Sequence, residues 1–263
     1  MSHASASADE LLPERVNQRL RTQRLGRTYE FIPTCPSTND LVRKRGAEGA
    51  TEGFLVVADS QSSGRGRLGR TWHSPSGQNL YLSLLLRPAL LARHATPLTL
   101  LAGAALAHAL ALAGAAPRLR WPNDLQLLAE GEWRKTAGIL TEMWTDGDRV
   151  RAIVLGVGLN VNCLDFPPEL AERATSLQLS VGRAFDRGEL LASFLDVFEP
   201  RYDDFLAHGP GAGLAEWRRY ADLGQVCRRD GIEGIAIDID ETGALLVRDA
   251  AGQVHRLTSG ETS

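Results

Sequence analysis

The sequence has few cysteines and no strong excess of either charge. Its three cysteines, Cys35, Cys163 and Cys227, lie far apart without a Cys-x-x-Cys pair or a His/Cys cluster. This pattern argues against a disulfide framework or a structural metal and favours a reducing, cytoplasmic compartment. A formal net charge of -3 over 263 residues argues against a protein that coats nucleic acid generally, because such a protein needs a broad basic surface. The first ten residues, MSHASASADE, lack the basic-then-apolar order of a signal peptide.

One apolar run could be mistaken for a membrane span. Residues 98–117, LTLLAGAALAHALALAGAAP, contain no acidic residue, lysine or arginine. The run is nevertheless mostly alanine, which is weakly apolar, and it includes His108, whereas a bilayer span needs about 20 strongly apolar residues. Thr96 as N-cap, Pro97 at the first helical position and Gly114 near the end predict a buried helix of a soluble domain.

The N-terminal segment combines a short apolar repeat with many arginines. We expect residues 1–10 to be disordered and a short helix to follow, because Leu12, Val16 and Leu20 recur every four residues. The surrounding arginines are Arg15, Arg19, Arg21, Arg24 and Arg27. They favour a solvated helix face over a nucleic-acid arm, and 28 residues cannot hold the three helices of a helix-turn-helix domain.

The rest of the chain alternates helical and strand patterns. Ser37 and Asp40 predict a helix start, and Pro200 is expected to break or kink an amphipathic helix over residues 188–199. Apolar runs at 54–59, 80–86 and 150–160 predict strands, and Asp146-Gly147 predicts a hairpin turn. We expect an α/β (α+β) domain with a mixed or antiparallel sheet flanked by helices over residues 29–221, after a tail and short basic helix at 1–28. Short strands between glycine turns predict a small barrel at 222–263.

A glycine-arginine stretch concentrates positive charge. SSGRGRLGRTW, residues 62–72, places three glycines and three arginines between Gly64 and Arg70. The glycines indicate a loop that can approach a ligand closely, and the arginines would repel one another unless an anion or carboxylates share the site. An RG segment that binds nucleic acid is the alternative. Because strands precede and follow this loop, we expect it to be a lid and not a tail.

Three further stretches place polar residues at strand ends. They are RWPNDLQL (120–127), WRKTAGILTE (133–142) and GVGLNVN (156–162). Each is also compatible with ordinary turn or strand packing.

Together with the STN of residues 37–39, these motifs occur in the order and approximate spacing of the biotin protein ligase family, which the chain resembles over residues 37–162. GIAIDIDETGALLV near the C-terminus resembles the family's SH3-like end domain. The resemblance implies a class II synthetase-like catalytic domain plus that SH3-like barrel. It also implies an ATP-dependent ligase that converts biotin to biotinyl-5'-adenylate and transfers it to a lysine of a biotin carboxyl carrier domain of a carboxylase. ATP and biotin are then substrates, and Mg²⁺ is bound through the ATP phosphates without assigned protein ligands.

The resemblance assigns roles to individual residues. Contacts to biotin are expected from Ser37, Thr38, Asn39, Gln61, Gly64, Arg65, Gly66, Lys135 and Gly138. Contacts to ATP or the adenylate are expected from Arg65, Arg67, Arg70, Trp72, Asp124 and Asn160. Lys135, Arg67 and Asp124 are the expected catalytic residues, and Asp124 would orient the acceptor lysine or help to remove its proton. The cations would neutralise the charges of ATP and biotin.

The sequence departs from the family pattern in several places. Arg120 replaces the lysine that usually precedes Trp-Pro-Asn-Asp, and the interval between Asp124 and Lys135 is a few residues longer. The C-terminal SGETS lacks an arginine that the family places near ATP. The sequence shows no N-terminal DNA-binding domain, so we expect the monofunctional type of the family. Neither DNA nor a membrane is expected as a partner. The protein is expected to be a monomer or a homodimer. A related lipoate–protein ligase and a non-enzymatic nucleic-acid binder remain the alternatives.

Overall fold

A computed structural model describes residues 8–229 and 231–258 and contains two sheets. The larger is a seven-stranded mixed sheet in the order β1-β2-β3-β7-β6-β5-β4, in which β1 and β2 are parallel and the other neighbours are antiparallel. Its strands are β1 (Tyr29–Cys35), β2 (Leu55–Gln61), β3 (Leu80–Leu86), β4 (Arg118–Arg120), β5 (Asp124–Ala129), β6 (Glu132–Asp146) and β7 (Arg149–Leu159). The smaller sheet is antiparallel, with β8 (Val226–Arg229), β9 (Ile232–Ile239), β10 (Leu245–Arg248) and β11 (Val254–Leu257). The expected mixed sheet and small C-terminal β unit are confirmed.

Helices cover both faces of the large sheet, because its central strands are apolar on both sides. Leu55 and Val57 of β2 belong to the main core, whereas Val56 packs with Val42 in a second cluster on the other face. The helices are α1 (Pro13–Arg19), α2 (Thr38–Ala47), α3 (Pro97–Leu112), α4 (Pro168–Ala171), α5 (Leu177–Val181), α6 (Arg187–His208) and α7 (Gly211–Tyr220). Val42 places α2 on the second face, and α3 and α6 contribute to the main core.

The alanine-rich helix α3 is a core helix, as predicted. Within the described part of the chain, the stretch Ala92–Leu112 is long and apolar enough to cross a membrane, but 72% of its most apolar 18-residue window is buried inside the domain. Small alanine side chains let α3 pack closely against α6, α7 and β6. Pro97 begins the helix, although Thr96 makes no side-chain capping bond.

The N-terminal segment differs from the expectation of a disordered tail and a solvated helix. Residues 1–7 lie outside the described residues, but Ala8–Leu11 form a 3-10 turn in which Leu11 is fully buried. Arg19 pairs with Asp186 at 2.6 Å, and Arg24 pairs with Asp203 and, at 3.5 Å, with Glu52. These two arginines are therefore only partly solvated, because carboxylates of the folded domain pair with them.

Of two predicted helix boundaries, the start of α2 after Ser37 is confirmed and the end of a helix at Pro200 is not. Ser37 occupies the N-cap position of α2, but its side chain makes no capping bond. Pro200 does not end α6, which continues to His208. The apolar side chains of Tyr202 and Phe205 pack into the core beyond the proline and keep the chain helical there.

Candidate active site

A single large cleft of about 1270 Å³ brings together nearly all of the predicted site residues. It is bordered by β6, β7, the turn before β5, the start of α2, the β8 region and the arginine loop, by which we mean residues 64–72. The predicted residues that line it are Ser37, Thr38, Asn39, Gln61, Arg65, Gly66, Arg67, Arg70, Trp72, Asp124, Lys135, Gly138 and Asn160. Gly64 is the exception.

Gly64 lies at the base of the arginine loop instead of lining the cleft. Its carbonyl accepts a 2.8 Å hydrogen bond from the Trp72 N–H. A Cβ at this position would lie 2.6 Å from both the Trp72 carbonyl oxygen and the Ser74 Oγ. Glycine is therefore required for the two ends of the loop to approach each other.

Two glycines on neighbouring strands form a flat floor beneath Trp72. Gly138 of β6 and Gly158 of β7 are directly paired. A Cβ on Gly158 would lie 2.6 Å from the Trp72 Cε2 and Nε1 atoms, and one on Gly138 would lie 3.0 Å from its Cζ3. These glycines admit the indole ring, which anchors the end of the loop over the centre of the cleft.

A chain of polar contacts forms one wall of the cleft. The Thr38 N–H and hydroxyl lie 2.9 and 3.2 Å from Gln61 Oε1. Ser83 Oγ donates to Asn39 Oδ1 at 2.6 Å, and Asn39 Nδ2 donates to Glu142 at 2.6 Å. These bonds fix the side chains that face the cleft, as ligand recognition requires. Sequence reasoning missed Ser83 and Glu142, whose only signal was a polar residue within an apolar strand.

Lys135 and Asp124, the lysine and aspartate that are expected to be catalytic, form an ion pair. Lys135 Nζ lies 2.6 Å from Asp124 Oδ1 and 5.3 Å from the centre of the Trp72 ring. Lys135 lies within β6 and not ahead of the strand, because β6 begins at Glu132. Both side chains are about one-third exposed, so a ligand in the cleft can reach the ammonium group.

The arginines of the loop do not simply repel one another. Arg65 lies 3.0 Å from Asp40 and 2.5 Å from Glu142, and Arg67 Nη1 donates to Asn123 Oδ1 at 3.4 Å. Carboxylates of the protein therefore neutralise Arg65 within the folded chain. Arg70 is exposed at the rim.

The small sheet adds cations that the motifs did not reveal. Arg228 and Arg229 of β8 line the cleft, and the Arg229 guanidinium lies 5.0 Å from the Trp121 ring. Trp121 Nε1 also donates to the Gly243 carbonyl at 2.9 Å, which ties the Trp-Pro-Asn-Asp turn to the small sheet. Two arginines of the small sheet therefore line the cleft in addition to those of the arginine loop.

The remaining predicted residue, Asn160, follows β7 and is held rigidly. It is buried, and its Nδ2 donates to the Thr175 carbonyl at 3.0 Å. Within residues 8–229 and 231–258, no group of three or more His, Cys, Asp or Glu side chains could hold a metal ion.

Comparison with known sequences shows which protein family has this site. The sequence model described as the biotin/lipoate A/B protein ligase family matches residues 31–160, and that of the biotin protein ligase C terminal domain matches residues 225–263. A biotin–[acetyl-CoA-carboxylase] ligase of Paracoccus denitrificans is 38% identical over 238 residues, covering 85% of this chain and 95% of that protein. The chain belongs to the biotin protein ligase family.

Other members of the family extend the match. A bifunctional ligase/repressor BirA of Bacillus spizizenii is 39% identical over 241 residues, covering 89% of this chain and 73% of that protein. Biotin protein ligase from Aquifex aeolicus, solved in complex with biotin and ATP, superposes with a TM-score of 0.76 at 28% identity, over 89% of this chain and 97% of that one. The expected fold and family are both confirmed, and both sheets have counterparts in the family.

Proposed function

We propose that this chain activates biotin with ATP to form biotinyl-5'-adenylate and then transfers biotin to a lysine of a carboxylase carrier domain. One observation carries the proposal: a single cleft joins a fixed polar wall, a tryptophan-covered glycine floor, Lys135 and the arginine loop. Relatives 38% and 33% identical to this chain are named biotin–[acetyl-CoA-carboxylase] ligases, and one solved neighbour holds biotin and ATP.

The first step needs charge neutralisation more than proton transfer. The biotin carboxylate attacks the α-phosphorus of ATP, a new P–O bond forms, and the bond to the β-phosphate breaks to release pyrophosphate. This carboxylate is ionised at neutral pH, so no general base is required. Lys135 and Arg67 would hold the reacting carboxylate and phosphate together. Mg²⁺ would arrive with the ATP phosphates.

The two parts of the substrate suit different parts of the cleft. The ureido ring of biotin is neutral and offers one acceptor and two N–H donors, which match the aimed groups of Thr38, Asn39 and Gln61. The adenylate would lie against Trp72 and the rigid Asn160. The arginine loop would exclude water from the mixed anhydride, which water would otherwise hydrolyse.

The Lys135–Asp124 pair suggests how the two steps are coupled. Before the reaction each charge compensates the other at 2.6 Å. A bound phosphate would compete for the Lys135 ammonium and release the Asp124 carboxylate. Asp124 could then orient the acceptor lysine, which must lose a proton before its nitrogen attacks the biotinyl carbonyl and AMP leaves.

The acceptor is proposed to be the carrier domain of a biotin-dependent carboxylase, in keeping with the named relatives. Cys35, Cys163 and Cys227 are unpaired thiols, which suits the reducing cytoplasm proposed for the reaction. The monofunctional type and the choice between monomer and homodimer remain predictions.

Transfer of labelled biotin to a purified carrier domain tests the proposal. We expect transfer with ATP and none without it, and no transfer of lipoate offered under the same conditions. Transfer of lipoate in preference to biotin would support the lipoate–protein ligase alternative. Failure to transfer or activate either acid would contradict the proposal.

A further inference from the structure

A carboxylate outside the cleft lining, Glu142, joins two of the side chains that line it. Glu142 lies in the second half of β6, opposite Val154 of β7. Its Oε2 atom accepts hydrogen bonds from Asn39 Nδ2 at 2.6 Å and from Arg65 Nη2 at 2.5 Å. One oxygen atom therefore connects the first turn of α2 with the arginine loop.

The contact with Glu142 determines which way the Asn39 amide points. An ionised carboxylate can only accept hydrogen bonds, so the amide nitrogen must face Glu142. The amide oxygen then faces the Ser83 hydroxyl, which donates to it at 2.6 Å. A Cβ on Gly156 would lie 2.2 Å from that oxygen, so the glycine provides the space for it. Asn39 keeps one N–H and one lone pair for a ligand.

Arg65 has a second carboxylate and does not depend on Glu142 alone. Asp40 lies 3.0 Å from Arg65 on the side of α2. Loss of the Glu142 charge would therefore leave Arg65 paired, whereas the Asn39 amide nitrogen would lose the carboxylate that it faces.

We infer that Glu142 is a positioning residue for recognition of the cyclic urea of the substrate, acting through the Asn39 amide. This inference rests on the proposed function, in which Asn39 contacts biotin. Glu142 does not touch the reacting atoms, so it should affect affinity for the acid and not the chemical step.

Glu142→Gln tests the inference with little change of shape. A glutamine can turn its own NH₂ group toward Asn39 and so permits the wrong amide orientation. We expect calorimetry to show biotin bound at least about tenfold more weakly. In pyrophosphate exchange the KM for biotin should rise by the same factor, with kcat within about threefold and the KM for ATP within about twofold. Partial unfolding would instead lower kcat at constant KM.

Glu30→Gln is the matched control. Like Glu142, Glu30 accepts two hydrogen bonds, and in its case both come from Arg45, at 3.0 and 2.9 Å. The Glu30 side chain is 31% exposed, compared with 30% for Glu142. It lies on β1, outside the cleft lining, and its variant should bind biotin like the wild type.

The outcomes separate the two proposals. If the wild-type chain binds no biotin, the proposed function fails. If the wild type binds and Glu142→Gln binds equally well, the inference alone is overturned. Should Glu142→Gln fail to fold, Ser83→Ala removes the second bond that orients the amide. A loss of biotin affinity of threefold or more would then support the inference, and unchanged affinity would overturn it.

Discussion

Two arginine-rich regions of this chain have opposite surroundings. In the N-terminal segment, Arg19 pairs with Asp186 just before α6, and Arg24 pairs with Asp203 of α6 and Glu52 of the loop before β2. In the arginine loop, Arg65, Arg67 and Arg70 all line the cleft, and Arg65 is paired there with Asp40 and Glu142. The comparison teaches that an arginine cluster has no function by itself. Its role follows from the anions that the fold, or a ligand, places opposite it.

The cleft also holds one of the two lysines in the sequence, at positions 44 and 135. Lys135→Met should lower the rate of biotin-dependent pyrophosphate exchange by about 100- to 1000-fold, because an aimed charge at the reacting phosphate is lost. The free energy of unfolding should change by less than about 1 kcal/mol, since the pair with Asp124 is partly exposed. Lys44→Met, on the surface of α2, is the control and should exchange at the wild-type rate. Equal rates for both variants would contradict the role of Lys135.

The N-terminal region should respond in stability and not in catalysis. Glu199 of α6 accepts backbone N–H bonds from Gln23 at 2.6 Å, Arg24 at 2.9 Å and Leu25 at 2.8 Å. Glu199→Gln should lower the free energy of unfolding by about 2 kcal/mol, because charge-assisted bonds are lost at a buried site. Urea unfolding at neutral pH measures this. Unchanged stability would mean that these bonds do not anchor the segment.

The same glutamate gives a pH signature. Burial alone would raise the pKa of Glu199, but the N–H donors of Leu25, Gln23 and Arg24 outweigh it and lower the pKa below its usual value of 4.5. A lowered pKa in the folded state means that this stabilisation is complete above about pH 5 and is lost as the pH falls through the lowered value. The stability difference between wild type and Glu199→Gln should therefore shrink in acid. A difference that stays constant down to about pH 2 would contradict this explanation.

The arginine loop should also respond to ligands, unlike the N-terminal segment. Proteolytic cleavage between Arg65 and Arg70 should slow by about tenfold when biotin and ATP are added together, because anions in the cleft hold the loop closed. Cleavage at exposed Arg15 and Arg21 should continue at the same rate. Equal protection of both regions would indicate a general change of stability and not closure of the loop.

The smallest expected effect belongs to Arg24→Ala. Its ion pairs are partly exposed, so the free energy of unfolding should fall by less than about 1 kcal/mol. Ligase activity should remain at the wild-type level. A loss of activity would show that the N-terminal segment contributes to the site and would remove the contrast between the two regions.

The sequence predicted those parts of the fold that depend on residues close together in the chain. Turn chemistry placed the Asp146-Gly147 hairpin, and the alanine run predicted the core helix α3. The continuation of α6 past Pro200 could not be predicted, because it depends on tertiary packing of Tyr202 and Phe205. The order of the sheet likewise depends on pairing between β3 and β7, which lie far apart in sequence.

In the candidate site, too, the features that depend on tertiary contacts could not be predicted from the sequence. Every site residue predicted from the sequence lines the cleft except Gly64, whose position at the base of the loop depends on contacts with Trp72 and Ser74. Glu142 and Ser83 were missed because each acts on Asn39, from a strand distant in sequence. Arg228 and Arg229 were missed because the small sheet brings them to the cleft only after folding.

The central claim is that arginines of the loop, and not those of the N-terminal segment, act on an anionic substrate. Pyrophosphate exchange into ATP, measured with biotin for Arg67→Ala and Arg24→Ala side by side, tests it most directly. We predict exchange about 100-fold slower than the wild type for Arg67→Ala and unchanged for Arg24→Ala. Equal rates for the two variants, or exchange that proceeds without biotin, would contradict the account.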